Sequence, residues 1–319
     1  YQYIIDKGPQ FSSYVTANLE LINVKRDKIV NSPNYTREQL LSLKKTYQDF
    51  IKNFNNEYTV TTATLELAQL EALYMHDIDS AIALLIPITE NNRMAKDVLS
   101  KAKLYLGDYY IINDQPWESL LLYTQVEKNE KGNPLGEEAK FRNAKLAYYK
   151  GDFGWAQTQL KIIKANTTEY ISNDAIDLSV FILDNLNTDD TDFALLKFAK
   201  ADLLRYQNKL DEAEDTLNFI LQYYPQTALQ DDILFLKYNI EKDRQHYEKA
   251  ASYLQKIVDN YGDDILADNA LFYLGDLYQF YLKEEEKAKN YYEKIIVEYK
   301  DSTFSIEARK RYRKLRGDT

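Results

Sequence analysis

A small residue followed by large apolar residues four and seven places later recurs along this chain at a nearly constant interval. The triplets are Ala81, Leu85 and Ile88; Ser119, Tyr123 and Val126; Ala156, Leu160 and Ile163; Ala213, Leu217 and Ile220; Ala250, Leu254 and Ile257; and Ala288, Tyr292 and Ile295. A weaker set, Leu43, Tyr47 and Phe50, lies upstream. From Leu43 onward the first members stand 38, 38, 37, 57, 37 and 38 residues apart. Spacings of four and seven put all three side chains on one face of a helix. A regular interval of this size marks a repeated supersecondary unit whose apolar face is covered by its neighbours.

One stretch shows what the unit is. In "LFYLGDLYQFYLKEEEKAKNYYEKI", Leu271, Leu274 and Tyr278 form one stripe, and Gly275 lies beside them where a bulky side chain would hold a neighbouring helix away. After the polar turn "LKEEEK", Ala288, Tyr292 and Ile295 form a second stripe. Small residues let two antiparallel helices approach and large ones fill the space beside them, which is the logic of a helical hairpin. The strings "MHDIDSA", "YKGDFGWA" and "YQNKLDEA" each place a polar turn just before the small residue, and Pro225 closes one unit and opens the next.

Composition agrees with helix throughout. Only 9 Gly and 6 Pro in 319 residues leave little turn chemistry for an all-β fold. The longest apolar runs, "AIALLIPI" and "LSVFIL", fall far short of a membrane span. The absence of Cys removes disulfides, thiolate metal ligands and cysteine nucleophiles, and suits oxidising and reducing compartments equally. No basic-then-apolar leader follows Tyr1, so the expectation is a mature protein or part of a longer one. A net charge of −10, with 40 Lys and Arg dispersed among 50 Asp and Glu, argues against nucleic acid as a partner.

The 57-residue step exceeds the others by about one helix. "SNDAIDLSVFILDNL", residues 172–186, reads as that helix, with Asn173 or Asp174 at its cap, and "NTDDTD", residues 187–192, as a polar loop. This Asp cluster lacks the Gly and closing Glu of a calcium loop. The expected organisation is a degenerate hairpin over residues 1–57, a lobe over 58–167, the extra helix and joint over 168–191, and a second lobe with a terminal cap over 192–319; a decorated repeat in one continuous stack is the alternative.

Catalytic chemistry is sparse. His76 and His246 fall in turns several repeats apart, and a stack keeps distant repeats distant. Gly151 and Gly154 lack the Lys-Ser/Thr of a phosphate loop. The reading is a non-enzymatic chain with no catalytic residues, no metal site and no cofactor. Most of the 28 Tyr pack repeat on repeat. In the doublets Tyr109-Tyr110, Tyr148-Tyr149, Tyr223-Tyr224 and Tyr291-Tyr292, one ring of each should face the surface. The stripe Phe304, Ala308, Tyr312 and Leu315 predicts a terminal helix that covers the last hairpin, leaving Arg309, Lys310, Arg311, Arg313, Lys314 and Arg316 largely in water. Arg309, Arg313 and Arg316 mark it as a candidate basic docking helix.

"YLGDLY", "YLGDYY" and "LDEAEDTLNFILQYYP" resemble the small-large signature of the tetratricopeptide repeat family, over residues 59–298. The resemblance implies an all-α solenoid of about seven antiparallel helical hairpins with a C-terminal capping helix, and a role in binding a protein or peptide segment. Residues 267–315 are similar to the repeats of bacterial cell-envelope proteins, although "YKDS" stands where those carry Tyr-Pro-x-Ser. That likeness implies a periplasmic or outer-membrane-associated location, and a subunit of a membrane-associated assembly as the alternative role; a cytoplasmic location stays open. In the family, the residue after the small residue of the first helix faces the concave side. Asp108, Asp202 and Asp276 match it, and Lys145 is the basic residue at that position. These carboxylates either pair with a neighbouring Lys or Arg or form an acidic row that selects a basic or amide-rich segment.

Overall fold

A computed structural model of the chain describes residues 1–32, 35–91, 93–166, 169–186 and 191–318, with backbone alone at 165, 166, 169, 170 and 191. Among the described residues the fold is all-α, helix following helix with no strand. Four of the loop positions expected within residues 187–192, namely 187–190, lie outside the described residues, as do the expected boundaries at 167 and 168.

The chain forms two compact units, Tyr1–Tyr148 with Asp152–Ser179, and Tyr149–Gly151 with Val180–Thr319. The first opens with a short helix, α1 (Gln2–Asp6), and then pairs α2 (Tyr14–Val30) with α3 (Arg37–Asn53). It continues through α4 (Glu57–Gln69) and α5 (Ile78–Glu90), α6 (Lys96–Ile112) and α7 (Pro116–Asn129), and α8 (Pro134–Tyr149) and α9 (Phe153–Asn166). The partition falls inside α10 (Glu169–Asn185), the helix that accounts for the long step. The second unit pairs α11 (Thr191–Tyr206) with α12 (Leu210–Tyr223), α13 (Gln230–Asp243) with α14 (Tyr247–Asn260), and α15 (Leu266–Asp276) with α16 (Glu285–Glu298). The terminal helix α17 (Ser305–Arg316) packs on α16.

Every triplet member is buried. The small residues Ala81, Ser119, Ala156, Ala213, Ala250 and Ala288 are fully inaccessible, and so are Leu85, Tyr123, Leu160, Leu217, Leu254 and Tyr292 four places on. Ser119 keeps the close approach of an alanine because its hydroxyl donates to the Gly107 carbonyl of the facing helix at 2.7 Å. Leu43, Tyr47 and Phe50 are buried too and pack with residues of α2 and α4.

In the six hairpins from α4/α5 onward the turn is the same object. Five residues before each of the six small residues the backbone is left-handed, at His76, Asp114, Gly151, Asn208, Gln245 and Lys283, with φ between 55° and 78°. Only one of the six is glycine, so five side chains hold a conformation that costs an L-residue on the order of 1 kcal/mol.

Two hairpins carry one residue more between the contact position of the first helix and the small residue of the second. Gly275 precedes Ala288 by thirteen positions and Ala68 precedes Ala81 by thirteen, whereas Gly107, Ala144 and Ala201 precede theirs by twelve. The extra residue is absorbed as a π-helical turn at the end of the first helix, Leu70–Tyr74 and Leu277–Tyr281. The downstream left-handed residue and small residue therefore keep their register.

Candidate partner-binding surface

The three acidic positions have different surroundings. Asp108 on α6 accepts a 2.6 Å hydrogen bond from the Tyr123 hydroxyl on α7 and is met by Arg142 Nε of α8 at 3.0 and 3.2 Å. Asp276 on α15 repeats the arrangement in the α15/α16 hairpin. It accepts from the Tyr292 hydroxyl on α16 at 2.9 Å and pairs with Arg311 of α17. Each carboxylate thus ties its own hairpin to the first helix of the next. Asp202 on α11 is partly buried and has no hydrogen-bond or ion-pair partner among the described residues. The position four after its small residue is Leu217 rather than tyrosine, and no arginine lies 34 or 35 residues downstream.

Glycine makes this joint possible. A Cβ on Gly107 would lie 2.4 Å from Tyr123 Cε1, and one on Gly275 would lie 2.4 Å from Tyr292 Cε1. The hairpins with a larger residue in that place, Ala68, Ala144 and Ala201, have Leu85, Leu160 and Leu217 opposite. In the six hairpins from α4/α5 onward, a tyrosine four after the small residue, a Gly-Asp pair on the preceding helix and an arginine on the following one therefore occur together or not at all. Spacing within a single helix does not reveal this joint; the co-occurrence of the three residues is its signal.

The electrostatics follow from burial. Desolvation pushes the Asp276 carboxyl above the usual carboxylate range, while Arg311 and the Tyr292 hydroxyl hold it back. Burial also raises the Tyr292 phenol. At Arg142 burial opposes the charge, but Asp108 and Glu138 outweigh it and the guanidinium is held more firmly protonated. Arg311 additionally lies over the rings of Phe272 and Phe280, 4.7 and 5.4 Å from their centroids.

Arg311 corrects the expectation for α17. It is not a water-facing cation like its neighbours but the closing member of the Asp276 joint, because it projects toward α15 and α16. Arg309, Lys310, Arg313, Lys314 and Arg316 are exposed. Lys310 lies 3.7 Å from Glu307, and Arg316 pairs with Asp318. Arg309, Arg313 and Lys314 have no acidic partner among the described residues.

The tyrosine doublets also need one correction. Tyr109, Tyr292 and their partners divide as expected, but Tyr148 and Tyr149 are both buried, at 1% and 6% exposure. Each ring has its own neighbour: Tyr148 lies 6.1 Å from Phe153, and Tyr149 stacks 6.2 Å from Tyr206. Adjacent rings point apart, and here both directions lead into packed protein.

Buried carboxylates form further ionic joints that periodicity did not reveal. Glu241, 1% exposed, contacts Arg244 at 2.5 Å, Lys249 at 3.0 Å and His246 at 2.9 Å, while Arg244 also reaches Glu214 at 2.5 Å. Glu130 accepts from Ser100 at 2.8 Å and pairs with Lys96 at 3.1 Å. Glu71 meets Lys44 at 2.6 Å. His246 is thereby engaged in a turn, and among the described residues no group of three or more His, Asp or Glu is disposed to hold a metal. No helix among them is long and apolar enough to cross a membrane.

Residues 269–302, spanning most of α15 and all of α16, match the tetratricopeptide repeat family. The chain carries a tetratricopeptide repeat. The repeat contains the Gly275 contact, the Asp276–Tyr292 hydrogen bond and the left-handed turn at Lys283, and five other hairpins share the turn. Among solved structures, the chain is similar to a tetratricopeptide repeat protein from Parabacteroides merdae at 13% identity, covering 94% of this chain and 98% of that one, with a TM-score of 0.36. It is similar to the P58(IPK) TPR domain at 14% identity, covering 95% and 79%, with a TM-score of 0.30. A third similarity is to Naa15/Naa10 bound to HypK-THB, at 14% identity, covering 99% and 57%, with a TM-score of 0.35. No curated protein matches the sequence.

Proposed function

We propose that this tetratricopeptide-repeat protein is a non-enzymatic scaffold that binds a segment of a partner protein along the exposed faces of its first helices. The observation that supports it is the repeat at residues 269–302, set in a run of hairpins whose turns are alike and whose interiors are filled. Repeats of this kind spend their buried residues on stacking and leave each first helix one exposed face for recognition. On α11 that face includes Phe193 and Leu196, 44% and 39% exposed, beside Lys197, whose ammonium lies 5.3 Å from the Phe193 centroid. Large apolar side chains held in water next to a cation suit a polypeptide with mixed apolar and acidic or amide groups.

The acidic row enters this reading in reduced form. Asp108 and Asp276 are neutralised by Arg142 and Arg311, so Asp202 is the member whose charge is available to a basic segment. The envelope location rests on the likeness of residues 267–315 alone, and cell fractionation tests it separately. Binding is tested by placing a photo-crosslinking residue at positions 193 and 196, and at 215 and 252 on second helices, in the full chain exposed to native extract. The scaffold reading expects discrete partner adducts from 193 and 196. Adducts from neither first-helix position, with adducts from 215 or 252, contradict it.

A further inference from the structure

The exposed face of α17 is the most strongly basic helix face among the described residues. Its twelve residues carry six of the 40 Lys and Arg and a single acid, Glu307, in a protein of net charge −10. Four of those cations, Arg309, Lys310, Arg313 and Lys314, follow Ile306 at three, four, seven and eight positions, so all five share one helix face. They line one shallow cleft together with Asp318. Ile306 is 79% exposed, the most exposed large apolar side chain described. The opposite face, with Phe304, Ala308, Tyr312 and Leu315, is occupied by the last hairpin, and Arg311 is taken by Asp276. The cation cluster is therefore not needed to hold α17 in place.

We propose that this face docks an acidic helical segment of a partner protein, with carboxylates one turn apart meeting the rows Arg309/Arg313 and Lys310/Lys314 and an apolar residue covering Ile306. Charge complementarity selects the occupant. Two rows of cations at i and i+4 match the spacing at which a helix presents Glu or Asp, and the chain, −10 overall and more negative still outside α17, disfavours an acidic ligand elsewhere. A bilayer is a poorer fit, because insertion needs several bulky apolar residues on the lipid side and this face offers Ile306 alone. The proposal rests on the scaffold reading but uses a surface separate from α11.

The test uses the full chain and a fluorescein-labelled synthetic helical peptide with Glu at successive i, i+4 positions and one Leu row, alongside its Glu→Gln counterpart. The variant R309Q/K310Q/R313Q/K314Q should bind the acidic peptide at least ~10-fold more weakly than the parent at low salt, and Ile306→Asp should weaken it by several-fold. A control with Lys25, Lys52, Lys101 and Lys128 changed to Gln removes equal charge from exposed positions elsewhere and should bind within about twofold of the parent. Melting temperatures should be unchanged in all of them.

Equal loss in the control overturns the proposal, since net charge alone would then explain binding. Two further results also overturn it. One is capture of phosphatidylglycerol vesicles, lost in the quadruple variant, with no peptide binding. The other is sedimentation showing a dimer of this chain that the same variant dissolves, again with no peptide binding. If the peptide fails while positions 193 and 196 still give adducts, the docking face is wrong and the scaffold stands.

Discussion

Gly275→Ala separates two effects that a helix normally confounds. In an open helix interior alanine is favoured over glycine by ~1 kcal/mol. At Gly275 the added Cβ would lie 2.4 Å from Tyr292 Cε1 and 2.8 Å from Cδ1 and Cζ, against an optimum of roughly 3.5–4.0 Å. The ring cannot swing aside, because Tyr292 is fully buried, stands 6.0 Å from Phe272, and has a hydroxyl that donates to Asp276 at 2.9 Å with Gln279 Oε1 also 2.9 Å away. Overpacking a filled site costs about 1–3 kcal/mol, and a displacement above 1 Å belongs at the upper end, so the net loss after the propensity gain is ~1–2 kcal/mol. The urea midpoint should fall for Gly275→Ala and for Gly107→Ala. It should rise slightly for Gly154→Ala, where a Cβ meets nothing within 4 Å. Adding Tyr292→Leu should make alanine tolerable, as in the hairpins that pair Ala144 with Leu160 and Ala201 with Leu217. Gly275→Ala as stable as the parent, or shifts of the same sign at Gly275 and Gly154, would refute the reasoning.

The remaining expectations concern turns, joints and pH. Gln245→Gly relieves a left-handed non-glycine residue (φ 63°) and should stabilise by about 0.5–1 kcal/mol in urea. Gly151→Ala should destabilise, because φ is 78° and its Cβ would meet Leu196 Cδ1 at 2.3 Å. Arg311→Gln leaves Asp276 without its cation and should cost ~2 kcal/mol, whereas Arg309→Gln, at an exposed unpaired position, should leave the urea midpoint unmoved. Burial, and next the neighbouring Asp231 charge, push Asp232 up to about 7. A raised carboxyl contributes stability that is complete below its unfolded value and is lost as pH climbs toward 7, so Asp232→Asn should gain on the parent at pH 8 and match it at pH 4 in thermal melts.

What could be read from the residues was what depends on local spacing. The triplets identified every second helix because the small residue sits at a helix contact and its followers point the same way, a relation set by helix geometry alone. The extra helix α10 and the cap α17 were legible for the same reason. Arg311 was not, because a charged residue looks alike in sequence whether it meets water or a carboxylate 35 positions upstream. Tyr149 was misjudged because adjacency on one helix says nothing of what lies on its other side. The five non-glycine left-handed turns were hidden, since Gln245 and Lys283 carry no mark of that conformation. The Asp108 and Asp276 joints were partly visible through their Gly and Tyr, but periodicity read one helix at a time does not relate three.

Hydrogen exchange on the full chain, with and without the partner captured through positions 193 and 196, tests the scaffold most directly. The account predicts slowed exchange in the first helices α11, α13 and α15, with α12, α14 and α16 unchanged. Protection confined to the second helices, or none in either set, would contradict it.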